Sequence, residues 1–280
     1  MVKRSRAFLP ILIGLLVVIG LLATPQKAQA QATVTTCTQA GLETAIANAG
    51  FGGTVTFNCP TNPATITLTT EITINQNVTI DGGTKGRVFI DGGNSTRLFN
   101  ISGAAVEFRN ITLQNGQTAT DGSNATNNAN ELGGAISIIG TLTLTNTDLT
   151  GHRAFGQGGA IYSNNGTVTI NAGTTFSSNR ADNQGGAIYQ EFGSLTINGA
   201  TFTSNRNDFD GGGAIYVTNA PLNISNTAFH LNQGDNAGGI QFESNPFFTP
   251  QPTATLTDVI FEQNTGFNNG GAIFNSGTMA

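Results

Sequence analysis

The chain has 280 residues, of which 37 are glycine and 10% are charged, with two cysteines, no tryptophan and a formal net charge of −5. A charged share this far below the usual ~25% argues against a helical solenoid, whose exposed faces need Lys, Glu and Arg. Regular Ile, Leu, Val and Phe positions argue against disorder, and the acidic balance excludes recruitment of nucleic acid or anionic lipid through the overall field.

Residues 1–30 read as a secretory signal peptide. Lys3, Arg4 and Arg6 form a basic start, Ala7 to Ala23 an apolar run, and Ala28-Gln29-Ala30 a small-x-small cleavage site, with cleavage after Ala32 as an alternative. The competing reading is an uncleaved anchor, since 17 residues is near the lower limit for a membrane span. The polar segment that follows favours cleavage, which leaves 7 basic and 16 acidic residues. Export also bears on Cys37 and Cys59, which are 22 residues apart and expected to be bridged rather than free. The only histidines, His152 and His230, lie far from both cysteines, so no metal site is expected.

Residues 31–51 are predicted to form an N-terminal cap. Leu42, Ala45, Ile46 and Ala49 recur at helical spacing and stop at Gly50. A short helix there would cover the open end of a coil, pinned by the cysteine pair. From residue 52 strands follow one another: Thr54–Phe57, Ile66–Leu68, Ile72–Ile74, Val78–Ile80 and Val88–Ile90, each alternating apolar residues with mainly Thr. Asp81-Gly82-Gly83 and Asp91-Gly92-Gly93 supply turns.

Six glycine pairs then appear, beginning at Gly133, Gly158, Gly185, Gly212, Gly238 and Gly270; five continue as Ala-Ile and one directly as Ile240. Their spacings of 25, 27, 27, 26 and 32 residues are the mark of a solenoid. Within 158–184, strands are expected at Ala160–Tyr162, Thr167–Ile170 and Phe176–Asn179, with a turn at Asn165-Gly166 and a polar loop over 180–184. Three strands in about 26 residues fit one rung of an all-β parallel β-helix spanning 52–280. Stacking the rungs puts Ile161, Ile188 and Ile215 in one inner column and Phe176, Phe202, Phe229 and Phe261 in another. Asn179, Asn205, Asn232 and Asn264 form a ladder of side-chain amides.

Gly-Gly-Ala-Ile alternating with Phe-x-x-Asn resembles the repeat of the chlamydial polymorphic outer membrane proteins and related bacterial β-helix surface proteins. The resemblance covers about Gly133 to Ile273, with Leu149-Thr150-Gly151-His152 as a degenerate copy of Phe-x-x-Asn. It implies a right-handed, pectate-lyase-like β-helix at the cell surface, acting as an adhesin or passenger module. The chain lacks that family's C-terminal barrel and stops at residues 276–280, where another rung's second strand is due. A fragment or truncated reading frame is therefore expected, with membrane association only through the signal or the missing C-terminal part, and a monomer.

Parallel β-helices also host polysaccharide lyases and hydrolases. Asp81 and Asp91 are the weak catalytic candidates, since each ends an apolar strand before Gly-Gly and neighbouring rungs could stack them. Ordinary turn chemistry explains them better. Asp182, Asp208, Asp210 and Asp235 precede successive glycine pairs and invite a Ca²⁺ stripe, but their drifting offsets favour solvated turns, and no cofactor is expected. Arg180 and Arg206 would pair with Asp182 or Asp208, or else meet an acidic glycan. Tyr162, Tyr189 and Tyr216 form either an exposed sugar-stacking strip or a structural ladder. Polar insertions at 121–130 and 245–252, the second carrying Phe247-Phe248, break the repeat, and such breaks often form a binding face. The expected partners are glycans or surface proteins of a host or the environment.

Overall fold

The computed structural model describes residues 30–119, 131–247 and 250–279. The signal segment up to Gln29, the 121–130 insertion and Phe248 lie outside the described residues. Among the described residues no helix is long and apolar enough to cross a membrane, which says nothing of β-barrels.

Alternation of Thr with Ile, Leu or Val makes strands with one buried face, and regular turns return each strand to the same place one period later. The result is a right-handed parallel β-solenoid of about seven turns with about 27 residues per turn. One rung shows the plan. Ile161–Asn164 lies on the first face, Thr167–Ile170 on the second and Thr175–Ser177 on the third. Each pairs in parallel with its counterpart one period on: Ile161 with Ile188, Val168 with Leu195, Phe176 with Phe202. Some rungs run through a corner without a break. Phe99–Arg109 and Ile136–Thr145 span the first and second faces, while Leu222–His230 and Thr253–Glu262 span the second and third. The segment expected as a polar loop at 180–184 opens with a two-residue strand, Arg180–Ala181. It joins Arg153–Ala154, Arg206–Asn207, Gln233–Gly234 and Thr265–Gly266 in a separate five-stranded ribbon along one corner.

Inside the coil the columns are continuous. Ile136, Ile161, Ile188, Ile215 and Ile240 stack in register on the first face. On the third face Phe176, Phe202, Phe229 and Phe261 stack at ring separations of 4.7, 4.8 and 4.9 Å, with planes tilted by 3°, 8° and 12°. In earlier rungs the same column holds Ile66, Ile90, Leu113 and Leu149. A fully buried side chain of this size contributes about 1.5–3 kcal/mol, so every added rung is stabilised by the one before it.

In the first three pairs, at Gly133, Gly158 and Gly185, the two glycines have separate reasons. Gly185 sits at φ 71°, a conformation that L side chains rarely adopt. Gly186 is pressed against the next rung, where an added Cβ would lie 2.0 Å from the Gly213 carbonyl oxygen.

The N-terminal end is closed by the helix Gln39–Ala49, whose Leu42, Ala45, Ile46 and Ala49 join the same core. Thr38 caps it by accepting from the Gly41 N–H, and Gly50 ends it at φ 63°. A strand missed in the sequence, Gln31–Val34, pairs in parallel with Gly53–Phe57 and lays the first edge of the second face. Cys37 and Cys59 are joined in a disulfide with their Cα atoms 5.7 Å apart.

Candidate functional site

Asp81 and Asp91 do not stack. Asp81 ends a strand of the second face and pairs with Arg109, while Asp91 ends a strand of the third face and pairs with Gln114. Strands consecutive in sequence lie on successive faces of the coil; stacking requires a separation of one full period. Each carboxylate is also spent locally. Asp81 Oδ1 accepts from the Gly83 N–H at 2.8 Å and from Asn110 Nδ2 at 2.9 Å. Asp91 accepts from the Gly93 N–H at 2.8 Å, Gln114 Nε2 at 2.6 Å and Asn115 Nδ2 at 3.2 Å. Burial pushes the Asp91 carboxyl up, but the Gly93, Gln114 and Asn115 hydrogen bonds and nearby His152 hold it below its ordinary value. A carboxylate so supplied with donors is a turn cap, poorly suited to carrying a proton.

The amide ladder is built as a chain of shared atoms. Asn179 Nδ2 donates to Asn205 Oδ1 at 2.9 Å and to the Leu149 carbonyl at 3.0 Å, and the Asn179 N–H also donates to Asn205 Oδ1 at 3.1 Å. Asn205 repeats this towards Asn232 and the Phe176 carbonyl, and Asn232 towards Asn264 and the Phe202 carbonyl. Asn179, Asn205 and Asn232 are fully buried, and their donors and acceptors are all engaged within the stack.

His152 occupies the same step one rung earlier. Its backbone N–H donates to Asn179 Oδ1 at 3.0 Å, Nε2 lies 3.0 Å from the Leu113 carbonyl, and Nδ1 accepts from the Gly116 N–H at 2.9 Å. A neutral ring with its proton on Nε2 therefore donates to a carbonyl and accepts from a backbone N–H as each amide does, without the amide's second N–H. Burial holds its pKa down at about 4.

The arginines and aspartates of the corner interlock. Arg153 bridges Asp182 at 3.3 Å, Arg206 bridges Asp208 at 2.8 Å, and Arg180 bridges Asp208 closely and its own rung's Asp182 at 3.8 Å. Arg153 also lies 4.2 Å above the Phe155 ring. Asp210 and Asp235 take hydrogen bonds from Asn236 and Asn268 at 2.9 and 2.7 Å. Among the described residues no three His, Cys, Asp or Glu side chains come together as an ion would require.

The tyrosines lie on the outside of the first face, alternating with buried Ile161, Ile188 and Ile215. They are not an open strip. Tyr162 stacks on Tyr189 and Tyr189 on Tyr216, each at 5.3 Å and within 7° of parallel, so the rings cover one another. Tyr189 and Tyr216 are only 6% and 7% exposed. The Tyr216 hydroxyl donates to Glu243 Oε2 at 2.7 Å, and Asn164 Nδ2 donates to the Tyr162 oxygen at 3.3 Å. Burial first, then neighbouring carboxylates, raise the pKa of Tyr189 and Tyr216 well above the ordinary phenol value. Ahead of Tyr162 the column continues as Ser137 and Asn100, so the aromatic stack begins abruptly. Sequence reasoning overlooked this start, although Ile136-Ser137 standing where later repeats have Ile-Tyr was its signal. Among the described residues the exposed aromatics, Phe51, Phe209, Phe247 and Phe267, are scattered over turns and loops.

The repeat described as Chlamydia polymorphic membrane protein (Chlamydia_PMP) repeat matches residues 173–191 and 258–276. Each match contains a Phe-x-x-Asn and the glycine pair that follows it. No curated protein and no solved structure matches the chain. The repeat and the parallel coil fit a surface-exposed β-helix protein.

Proposed function

We propose that the chain is exported and displayed at the cell surface as an adhesion or structural module. The observation that carries this reading is the match to a surface-protein repeat in a coil whose recurring side chains are consumed by its own stacking. The basic and apolar start at Lys3 to Ala23 supports export, as does a disulfide, which an oxidising compartment maintains. The enzymatic alternative finds little support, since Asp81 and Asp91 lie on different faces and both cap turns.

The test is labelling of intact cells with an antibody against an epitope inserted at 245–252, together with a surface-adhesion assay. Labelling without permeabilisation and adhesion of the tagged cells are expected. Retention inside the cell overturns the reading. Turnover of polyuronides by the purified protein, lost in Asp81→Asn or Asp91→Asn, replaces it with the enzymatic one.

A further inference from the structure

The tyrosine ladder has an end that the coil itself does not fill. One face of the Tyr162 ring lies on Tyr189, 5.3 Å away and 7° from parallel. The opposite face looks along the column towards Ser137, whose side chain has no ring to offer. Among the described residues Tyr189 is the only aromatic side chain stacked on Tyr162. Tyr162 is half-buried, whereas Tyr189 and Tyr216 are nearly closed off, as expected of a ring with one face uncovered. Successive strands lie about 4.8 Å apart, so the missing step is about one ring thick.

The rim of this step is neutral and polar with one apolar patch. Ser137 offers a hydroxyl and Asn100, one rung earlier, an amide. Asn164 uses its Nδ2 on the Tyr162 oxygen, which leaves its carbonyl oxygen as an acceptor. Ile139, outward on the same face, is 61% exposed. The charge acting on the Tyr162 phenol is the Glu191 carboxylate, an anion.

We propose that this step is a glycan-binding site, in which the apolar face of a neutral pyranose ring stacks on Tyr162 above Ser137 and completes the ladder. Stacking supplies the affinity, while the Ser137, Asn164 and Asn100 groups meet the sugar hydroxyls at the ring edge. Uronic acids are disfavoured, because their carboxylate would join an acidic chain whose Glu191, one rung beyond Tyr162, already acts on the phenol. The inference rests on the adhesion reading and names its ligand class.

Intrinsic tyrosine emission is a direct probe, because the chain has no tryptophan and its three tyrosines are the ladder itself. Cellotetraose, chitotetraose and a tetragalacturonate are titrated against the purified protein and three variants. Ser137→Tyr extends the ladder into the site, Tyr162→Ala removes the platform, and Thr196→Ser on the second face is the control. Wild type and control are expected to bind a neutral or acetylated oligosaccharide with a change in emission. Both site variants should bind about tenfold more weakly, or not at all, and Ser137→Tyr should melt no lower than wild type. Undiminished binding by Ser137→Tyr, preference for the galacturonate, or no binding of either neutral oligosaccharide overturns the proposal. A protein that still adheres to surfaces but ignores Ser137→Tyr loses the glycan site and keeps the adhesion role, which separates the two failures.

Discussion

At the scale of single residues, the ladder shows how much chemistry one position must satisfy. Each amide gives two hydrogens through Nδ2 and accepts through Oδ1, so a replacement has to offer a donor and an acceptor in the same places. His152 meets that demand only while neutral, because a protonated ring has no lone pair for the Gly116 N–H. The charged group facing it is the Asp91 carboxylate, too weak a partner to offset burial. The folded pKa of about 4 lies below the ordinary histidine value of 6.5, so unfolding takes up a proton between those limits. The stability carried by neutral His152 is complete above pH 6.5 and is lost as the pH falls towards 4, by about 3 kcal/mol in all. His152→Asn restores the residue of later rungs and removes this dependence. Denaturation midpoints of the two proteins from neutral pH to pH 4 should diverge steadily, and parallel curves would refute the account. The ladder itself was legible as Phe-x-x-Asn. Less legible was the left-handed residue just before it, filled by Ser178, Ser204, Leu231 and Gln263 at φ 54–56°. A glycine marks that corner only at Gly151, ahead of His152; in the later rungs the stacked neighbours hold the backbone there whatever the side chain.

At the scale of elements, strand positions read well because the alternation of Thr with an apolar residue has the period of the pleat itself. Thr167–Ile170 and Ile72–Ile74 lie where the pattern put them. What alternation leaves open is which strands neighbour one another, and this is why Asp81 and Asp91, ten residues apart, looked stackable. The corner ribbon of two-residue strands was invisible for a related reason: two residues are too few to show a period. The glycine pairs decide how closely rungs approach. Gly186→Ala would put a methyl 2.0 Å from the Gly213 carbonyl and 2.5 Å from the Arg206 backbone, atoms that cannot yield without parting two rungs. We expect a loss of more than about 3 kcal/mol, read as a lower denaturant midpoint with faster hydrogen exchange at Ile188–Glu191 and Ile215–Thr218. A variant as stable as wild type would show that the contact can relax.

At the scale of the whole molecule, the coil is a stack in which strand pairing joins each rung only to its neighbours, while Lys85 reaches further, to Asp148, so damage stays largely local. The helix Gln39–Ala49 and the Cys37–Cys59 bridge protect the first edge and the end of the core. Replacing both cysteines with serine frees a 22-residue loop, which should cost on the order of 3 kcal/mol. The loss should appear as faster hydrogen exchange in Gln31–Val34 and Gly53–Phe57, while Ile188–Glu191 and later strands exchange as before. Equal loss along the whole coil would contradict nearest-neighbour stability.

The sequence by itself determined the rung length, the inward residues and the capping helix, because these follow from periodicity and from the alternation of apolar and polar side chains. Only the tertiary structure decided what the outward residues are free to do. The winding brings together residues one period apart, so whether an exposed tyrosine is covered, or a carboxylate already holds donors, depends on the rungs on either side. Tyr162, Tyr189 and Tyr216 are identical in local sequence context, Gly-Gly-Ala-Ile-Tyr in each case. They differ because Ser137 lies ahead of the first and a tyrosine ahead of each of the others.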